Sequence, residues 1–141
     1  MIYTKLTKKA MLTAYNAHMN QFDKSGVPYI FHPIHLAEQM DTEAECVTAL
    51  LHDVAADTDI TLEKLAKDFP EEVMEALRLL TRKDGEDYME YVENLKHNPI
   101  AAKVKKADLI HNSDRTRIDE ITQKDTDRWA KYEKALKLLE E

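Results

Sequence analysis

The chain has 141 residues, one domain by size, and is long enough to bury roughly 68–70% of the surface its unfolded form would expose. A net charge of −7 argues against a general nucleic-acid binder, which needs a basic stripe, and no apolar run approaches the roughly 18 residues of a membrane span. A small phosphorylated substrate stays open, because clustered lysines or a metal can override the overall field.

Only two glycines and four prolines punctuate the chain and β-branched runs are scarce, so the expected fold class is all-α, with about seven or eight helices in a single domain over residues 1–141. The start, Met1-Ile2-Tyr3-Thr4-Lys5, has no hydrophobic signal-peptide core, which makes the cytoplasm the expected compartment. Cys46 is the sole cysteine and sits in Ala44-Glu45-Cys46-Val47, so it reads as a small buried hydrophobe.

In chain order, a first helix is expected from Thr7 to about Gln21, with Met11, Tyr15, His18 and Phe22 sharing a face by 4-3-4 spacing. Phe22 to Phe31 reads as a loop, since Lys24-Ser25-Gly26-Val27-Pro28 holds turn residues. Pro33 suits the first position of a second helix, through about Met40. Thr42 followed by Glu45 is a capping-box signature for a third helix running to about Val54. Ala55 to Ile60 reads as a loop, and Thr61 as the cap of a short helix ending before Pro70. Val73, Leu77 and Leu80 mark the next helix, which Lys83-Asp84-Gly85 breaks. A more exposed helix is expected from Glu86 to about His97, then one from Pro99 to about Asn112. The last should run from about Thr126 to Leu139, packed on the rest by Trp129, Tyr132, Leu136 and Leu139.

Two carboxylates fall in register with apolar residues. Cys46, Ala49, Leu50 and Asp53 share one helical face; Ala101, Val104, Asp108 and His111 share another. A buried carboxylate is costly unless it is paired or bound to metal. Asp53 also follows His52 directly, and imidazole with carboxylate suits a divalent metal. His32, His52, Asp53 and Asp108 are the candidates, although on spacing alone His18, His35, His97 and His111 serve equally well.

The order Ala17-His18…Gln21…Lys24-Ser25-Gly26-x-Pro28-Tyr29-Ile30-x-His32-Pro33, then Ala49-Leu50-Leu51-His52-Asp53-Val54…Asp57-Thr58, then Lys105-x-Ala107-Asp108…His111-Asn112 resembles the HD-domain family. Within it, the chain looks like the small single-domain relatives of the RelA/SpoT-type ppGpp 3′-pyrophosphohydrolases. The resemblance runs from about residue 10 to about residue 116. It implies an all-α HD-domain bundle and one divalent metal, most often Mn2+, held by His32, His52, Asp53 and Asp108, with His18 relegated to a supporting place. It further implies a metal-activated water that cleaves a phosphoester of a small nucleotide, ppGpp or a related pyrophosphorylated compound. Lys24 and Asn112 are the implied substrate contacts. No stretch remains for a synthetase domain, so pyrophosphokinase activity is not expected. No feature of the sequence sets an oligomeric state.

The chain departs from that pattern in three places. The family's Glu-Asp-Thr after His-Asp is here Ala56-Asp57-Thr58, which leaves Asp57 as the group to position and deprotonate water. A general base is commonly worth about 10²–10⁴-fold in rate. The alternative is therefore a catalytically weakened protein that binds nucleotide and metal. Asp23 replaces an arginine beside Lys24, and Leu109 replaces an arginine after Asp108. Both changes point to a different or broader nucleotide substrate.

Overall fold

A computed structural model describes residues 1–141. It contains eight helices of five residues or more: α1 Lys5–Ala17, α2 Phe31–Glu38, α3 Glu43–Leu51, α5 Leu62–Ala66, α6 Glu71–Leu80, α7 Tyr88–Leu95, α8 Pro99–Asn112 and α9 Gln123–Glu140. A four-residue turn of helix, α4 Val54–Asp57, follows α3, and a 3₁₀ turn, Arg115–Arg117, follows α8. There is no sheet, only an isolated bridge between Phe22 and Pro28. No helix is long and apolar enough to cross a membrane.

Helix α3 is the axis of the fold. It packs against α1, α2, α6 and α8, and beyond its first turn it has no solvent face: Cys46 through Leu51 are all buried. A helix enclosed on every side must be apolar all round, as Cys-Val-Thr-Ala-Leu-Leu nearly is. The one hydroxyl there, Thr48, donates back to the Ala44 carbonyl at 2.8 Å. Full burial of each leucine contributes about 1.5–3 kcal/mol. Helices α2 and α8 also touch each other, which places three helix surfaces side by side where α3 ends.

Several boundaries shift from the sequence reading, each for a local reason. Helix α1 buries Thr7, Ala10 and Ala14, not Met11, Tyr15 and Phe22. Small side chains let it approach α3 closely, and the two aromatics are left exposed. Helix α2 begins at Phe31, so Pro33 lies in its first turn, where a missing N–H costs nothing. Helix α3 stops at Leu51 and the expected loop begins as α4. Thr42 does cap α3 by accepting from Glu45 N, but the Glu45 carboxylate accepts from Asp41 N and Lys103 Nζ instead of closing the box. Tyr91, Val92 and Leu95 of α7 are buried, so that helix is less exposed than expected. Helix α9 starts at Gln123 because Thr122 and Asp125 form a complete capping box.

Candidate metal centre

The loop between α1 and α2 is tied by its own polar groups. Asp23 Oδ1 accepts from Ser25 N at 2.9 Å and Val27 N at 3.0 Å, and Gly26 takes a φ of 85°. Tyr29 N donates to the Gln21 carbonyl at 2.9 Å. The loop so closed delivers Tyr29 to the end of α3, where its hydroxyl donates to Asp53 Oδ2.

His32 comes from the first turn of α2, His52 and Asp53 from the end of α3, and Asp108 from the third turn of α8. One ligand atom from each lies within 4.8 Å of the other three. His32 Nε2 is 2.8 Å from Asp108 Oδ1, while His52 Nε2 is 3.0 Å from Asp53 Oδ2 and 3.6 Å from Asp108 Oδ1. His32, His52 and Asp108 are buried and Asp53 is partly open. Metal–donor bonds of about 2.0–2.2 Å put opposite ligands of an octahedron about 4.0–4.4 Å apart, so contraction by a few tenths of an ångström closes this group on one ion.

The tautomers support that fit. His52 Nδ1 donates to the Ala49 carbonyl at 2.7 Å, taking an acceptor that the last helical turn leaves available. In the neutral ring the Nε2 lone pair then points at two carboxylate oxygens, and Nε2 is buried without a hydrogen-bond partner. Only a cation or a proton can sit there. Without metal a proton does: burial opposes charge on His52, but Asp53 and Asp108 override it and hold its pKa well above the ordinary value. Burial would raise the Asp53 carboxyl, and the charge of His52 draws it down instead.

The surrounding residues hold this arrangement. His32 Nδ1 and His111 Nδ1 are hydrogen-bonded at 2.7 Å, with the ring centroids 5.0 Å apart, so His111 fixes which nitrogen of His32 faces the cluster. Burial lowers the pKa of His32, and burial plus Arg117 lowers that of His111 to about 4. Asp108 accepts from Lys105 Nζ at 3.0 Å on Oδ2 and from Asn112 Nδ2 at 2.9 Å on Oδ1. Its burial favours the neutral acid, but Lys105 outweighs that and keeps the carboxyl well below its usual range. Lys105 in turn lies over the Tyr91 and Tyr88 rings, at 5.3 and 5.7 Å. Burial and the charge of Asp53 keep Tyr29 a neutral donor.

The remaining residues singled out from sequence fall around this cluster. Asp57 closes α4 and is exposed; its carboxyl is raised by burial and by the charge of Asp53. Its carbonyl accepts from Gln21 Nε2 at 2.9 Å, and Gln21 also bonds His18 Nδ1 at 2.9 Å. His18 is buried at the Tyr29 ring, a supporting place outside the cluster. Ala56 is exposed. Lys24 is 2.6 Å from the buried Asp125, which Arg128 and Thr122 also bind. Asn112 ends α8 while Ser113 caps it, and the Asn112 side chain turns to Asp108. Leu109 faces the core.

Two cavities flank the centre. One, of about 380 Å³, is lined by Asp23, Tyr29, His32, His35, His111 and Arg117, among others. The other, of about 330 Å³, includes Asp23, Lys24, Tyr29, Asn112, Arg117 and Arg128. From spacing alone His111 is one of several alternative ligands, while Tyr29 and Arg117 have no assigned role. Tyr29 and His111 lie inside the matched motifs, and Lys105 stands three residues before Asp108, a helical neighbour. Arg117 carried no such signal.

A scan against protein-family models finds no match. Among curated proteins, the chain is 31% identical over 139 residues to the guanosine-3′,5′-bis(diphosphate) 3′-pyrophosphohydrolase of Borreliella burgdorferi, covering 87% of this chain and 20% of that protein. It is 34% identical over 116 residues to the protein of the same name in Haemophilus influenzae, covering 72% and 17%. The GTP pyrophosphokinase of Myxococcus xanthus is 31% identical over 125 residues, covering 76% and 16%. The chain thus spans about a fifth or less of these relatives' length. A solved structure described as a metazoan ortholog of SpoT that hydrolyses ppGpp superposes with a TM-score of 0.79 at 23% identity, covering 99% of this chain and 88% of that one. That likeness establishes the fold, and the similarity in sequence ties the chain to one segment of proteins named as ppGpp 3′-pyrophosphohydrolases and GTP pyrophosphokinases.

Proposed function

We propose that the chain is a metal-dependent phosphohydrolase acting on a small nucleotide, ppGpp or a related pyrophosphorylated nucleotide. The observation that carries this reading is the convergence of His32, His52, Asp53 and Asp108, one ligand atom of each within 4.8 Å of the others, beside a cavity that His32 lines. The relatives named for ppGpp 3′-pyrophosphohydrolysis supply the substrate class. His32, His52, Asp53 and Asp108 would hold one divalent ion, Mn2+ on this reading. Bound there, the ion lowers the pKa of a water and offsets phosphate charge.

The protein's own residues do the rest. Tyr29 fixes Asp53, His111 fixes His32, and Lys105 with Asn112 fixes Asp108. Asp57 takes the proton as water oxygen bonds to phosphorus. The bond from phosphorus to the ribose 3′ oxygen breaks, that oxygen receives the proton that Asp57 took, and pyrophosphate leaves. The raised pKa of Asp57 suits a base better than a fully solvated aspartate would. Lys24 and Asn112 line the 330 Å³ cavity that would receive the nucleotide, Lys24 held there by Asp125 and Asn112 by Asp108 and Arg117. Such a substrate makes the cytoplasm the expected compartment, and residues 1–141 act as one domain.

Hydrolysis of a nucleotide panel with Mn2+ tests the proposal. The wild-type chain should release pyrophosphate from ppGpp and Asp53→Ala should not. Absence of metal-dependent turnover on every phosphorylated substrate would overturn it. A second reading, a protein that binds nucleotide and metal without useful turnover, rests on exposed Ala56 where the pattern has glutamate. Unchanged, near-zero turnover in both wild type and Ala56→Glu, with nucleotide still bound, would favour that reading.

A further inference from the structure

We infer that Arg117 is the phosphate-contacting cation of this site, and that Asp23 restrains it until a nucleotide arrives. The inference deepens the proposed function and rests on it for the identity of the ligand.

Three cations line the 330 Å³ cavity: Lys24, Arg117 and Arg128. Two are already committed. Lys24 and Arg128 both bind the buried Asp125, which is also held by its capping bonds to Thr122. Asp125 serves α9 as a cap, so withdrawing these cations would loosen the helix start. Arg117 is different. Its closest carboxylate is Asp23 Oδ2 at 3.8 Å, beyond hydrogen-bond reach.

Arg117 is nonetheless held in place. Nη1 donates to the His111 carbonyl at 2.9 Å and to Asn112 Oδ1 at 3.2 Å. Those bonds occupy one edge of the guanidinium and leave Nη2 on the side facing Asp23. A guanidinium anchored at one nitrogen and open at another is preorganised for a phosphate oxygen, with less entropy lost than a free lysine would lose. Arg117 and Asp23 also line both cavities, so the pair stands on the wall between them. Asp23 spends Oδ1 on Ser25 N and Val27 N, which keeps Oδ2 turned toward Arg117. A phosphate entering from either side would replace that long contact with a direct one. A nucleotide carrying two phosphate groups could reach the metal centre with one and Arg117 with the other.

The experiment compares calorimetric binding of ppGpp and of guanosine to wild type, Arg117→Ala, Arg117→Lys, Asp23→Asn and the double variant Asp23→Asn/Arg117→Ala. It uses Mn2+-loaded protein with turnover blocked by low temperature, and thermal unfolding verifies each fold. Arg117→Ala should weaken ppGpp binding by about 10- to 100-fold, leave guanosine unchanged, and raise KM more than it lowers kcat. Arg117→Lys keeps the charge but loses the anchored fork, so it should restore only part of the affinity. Asp23→Asn should tighten ppGpp binding severalfold, and only when Arg117 is present. Equal ppGpp affinity in wild type and Arg117→Ala would overturn the inference. So would a loss of kcat with unchanged affinity, since that marks Arg117 as a support for Asn112 alone. If ppGpp binds through Arg117 but is never hydrolysed, the hydrolase reading fails and this one stands; hydrolysis indifferent to Arg117 reverses that outcome.

Discussion

His52–Asp53 and Ala56–Asp57 lie four residues apart and are built on opposite rules. The first pair ends the most buried helix and is locked by α2, α8 and the Tyr29 loop. The second sits on the exposed side of a single helical turn, where the Gln21 side chain donates to the Asp57 carbonyl. A change in the first region disturbs the core, and a change in the second disturbs only the surface. The chain can therefore carry alanine at position 56 with His32, His52, Asp53 and Asp108 still converged. On the proposed function, metal binding and proton transfer are then physically separable.

The sharpest way to break that comparison is to remove one carboxylate from each region. Asp53→Ala should abolish tight Mn2+ binding and cut turnover on the order of 10³-fold or more. Asp57→Ala should cost about 10²–10⁴-fold in rate while metal affinity by calorimetry stays within a few-fold. If Asp57→Ala loses the metal as well, the two regions are one. Restoring the missing acid is next in size: Ala56→Glu should raise kcat by up to about 10²-fold with unchanged Mn2+ affinity. The supports of the first region come third. His111→Ala releases the ring of His32 and should weaken Mn2+ binding by about 10- to 100-fold, with little change in the pH profile set by Asp57.

Stability measurements sharpen the comparison further. Lys105→Met leaves Asp108 buried without its cation, which should cost about 3 kcal/mol in chelator-treated protein by denaturant unfolding. Added Mn2+ should recover part of that loss, because the ion binds the folded state alone. A smaller effect is expected from pH. His111 is held at about 4 against an ordinary 6.5, so between these values the unfolded chain binds a proton that the folded chain does not. Metal-free protein should lose stability as pH falls through that window, and this contribution should stop changing below it. His32, lowered too, adds in the same direction. His52, raised, is protonated in both states across the window and adds no slope. His111→Gln should flatten the decline.

Much of the fold was legible before the structure. The apolar run of α3, the Pro99 start of α8 and the Trp129–Leu139 stripe of α9 all form where periodicity and caps place them. The face of α1 was not legible, because Ala10 and Ala14 bury by fitting closely, and hydrophobicity ranks them below Tyr15 and Phe22. The break between α3 and α4 was also hidden, since the sequence stays helix-compatible through Ala56 and no turn residue marks His52 or Asp53, where the helix ends.

The sequence by itself determined the inventory: a helical chain, two carboxylates in apolar register, a histidine beside one of them, and motifs in a known order. Those are properties of spacing, and spacing is written in one dimension. Only the tertiary structure decided which groups converge. It brought His32 and Asp108, 76 residues apart, to 2.8 Å, committed Lys24 to Asp125 across 101 residues, and set Arg117 opposite Asp23 on the wall between two cavities. Helix packing fixes these distances through the shared core, and no local pattern encodes them. Thus the four clustered residues could be named by reading, while the bonds of Tyr29 to Asp53 and His111 to His32 and the place of Arg117 had to be found by folding.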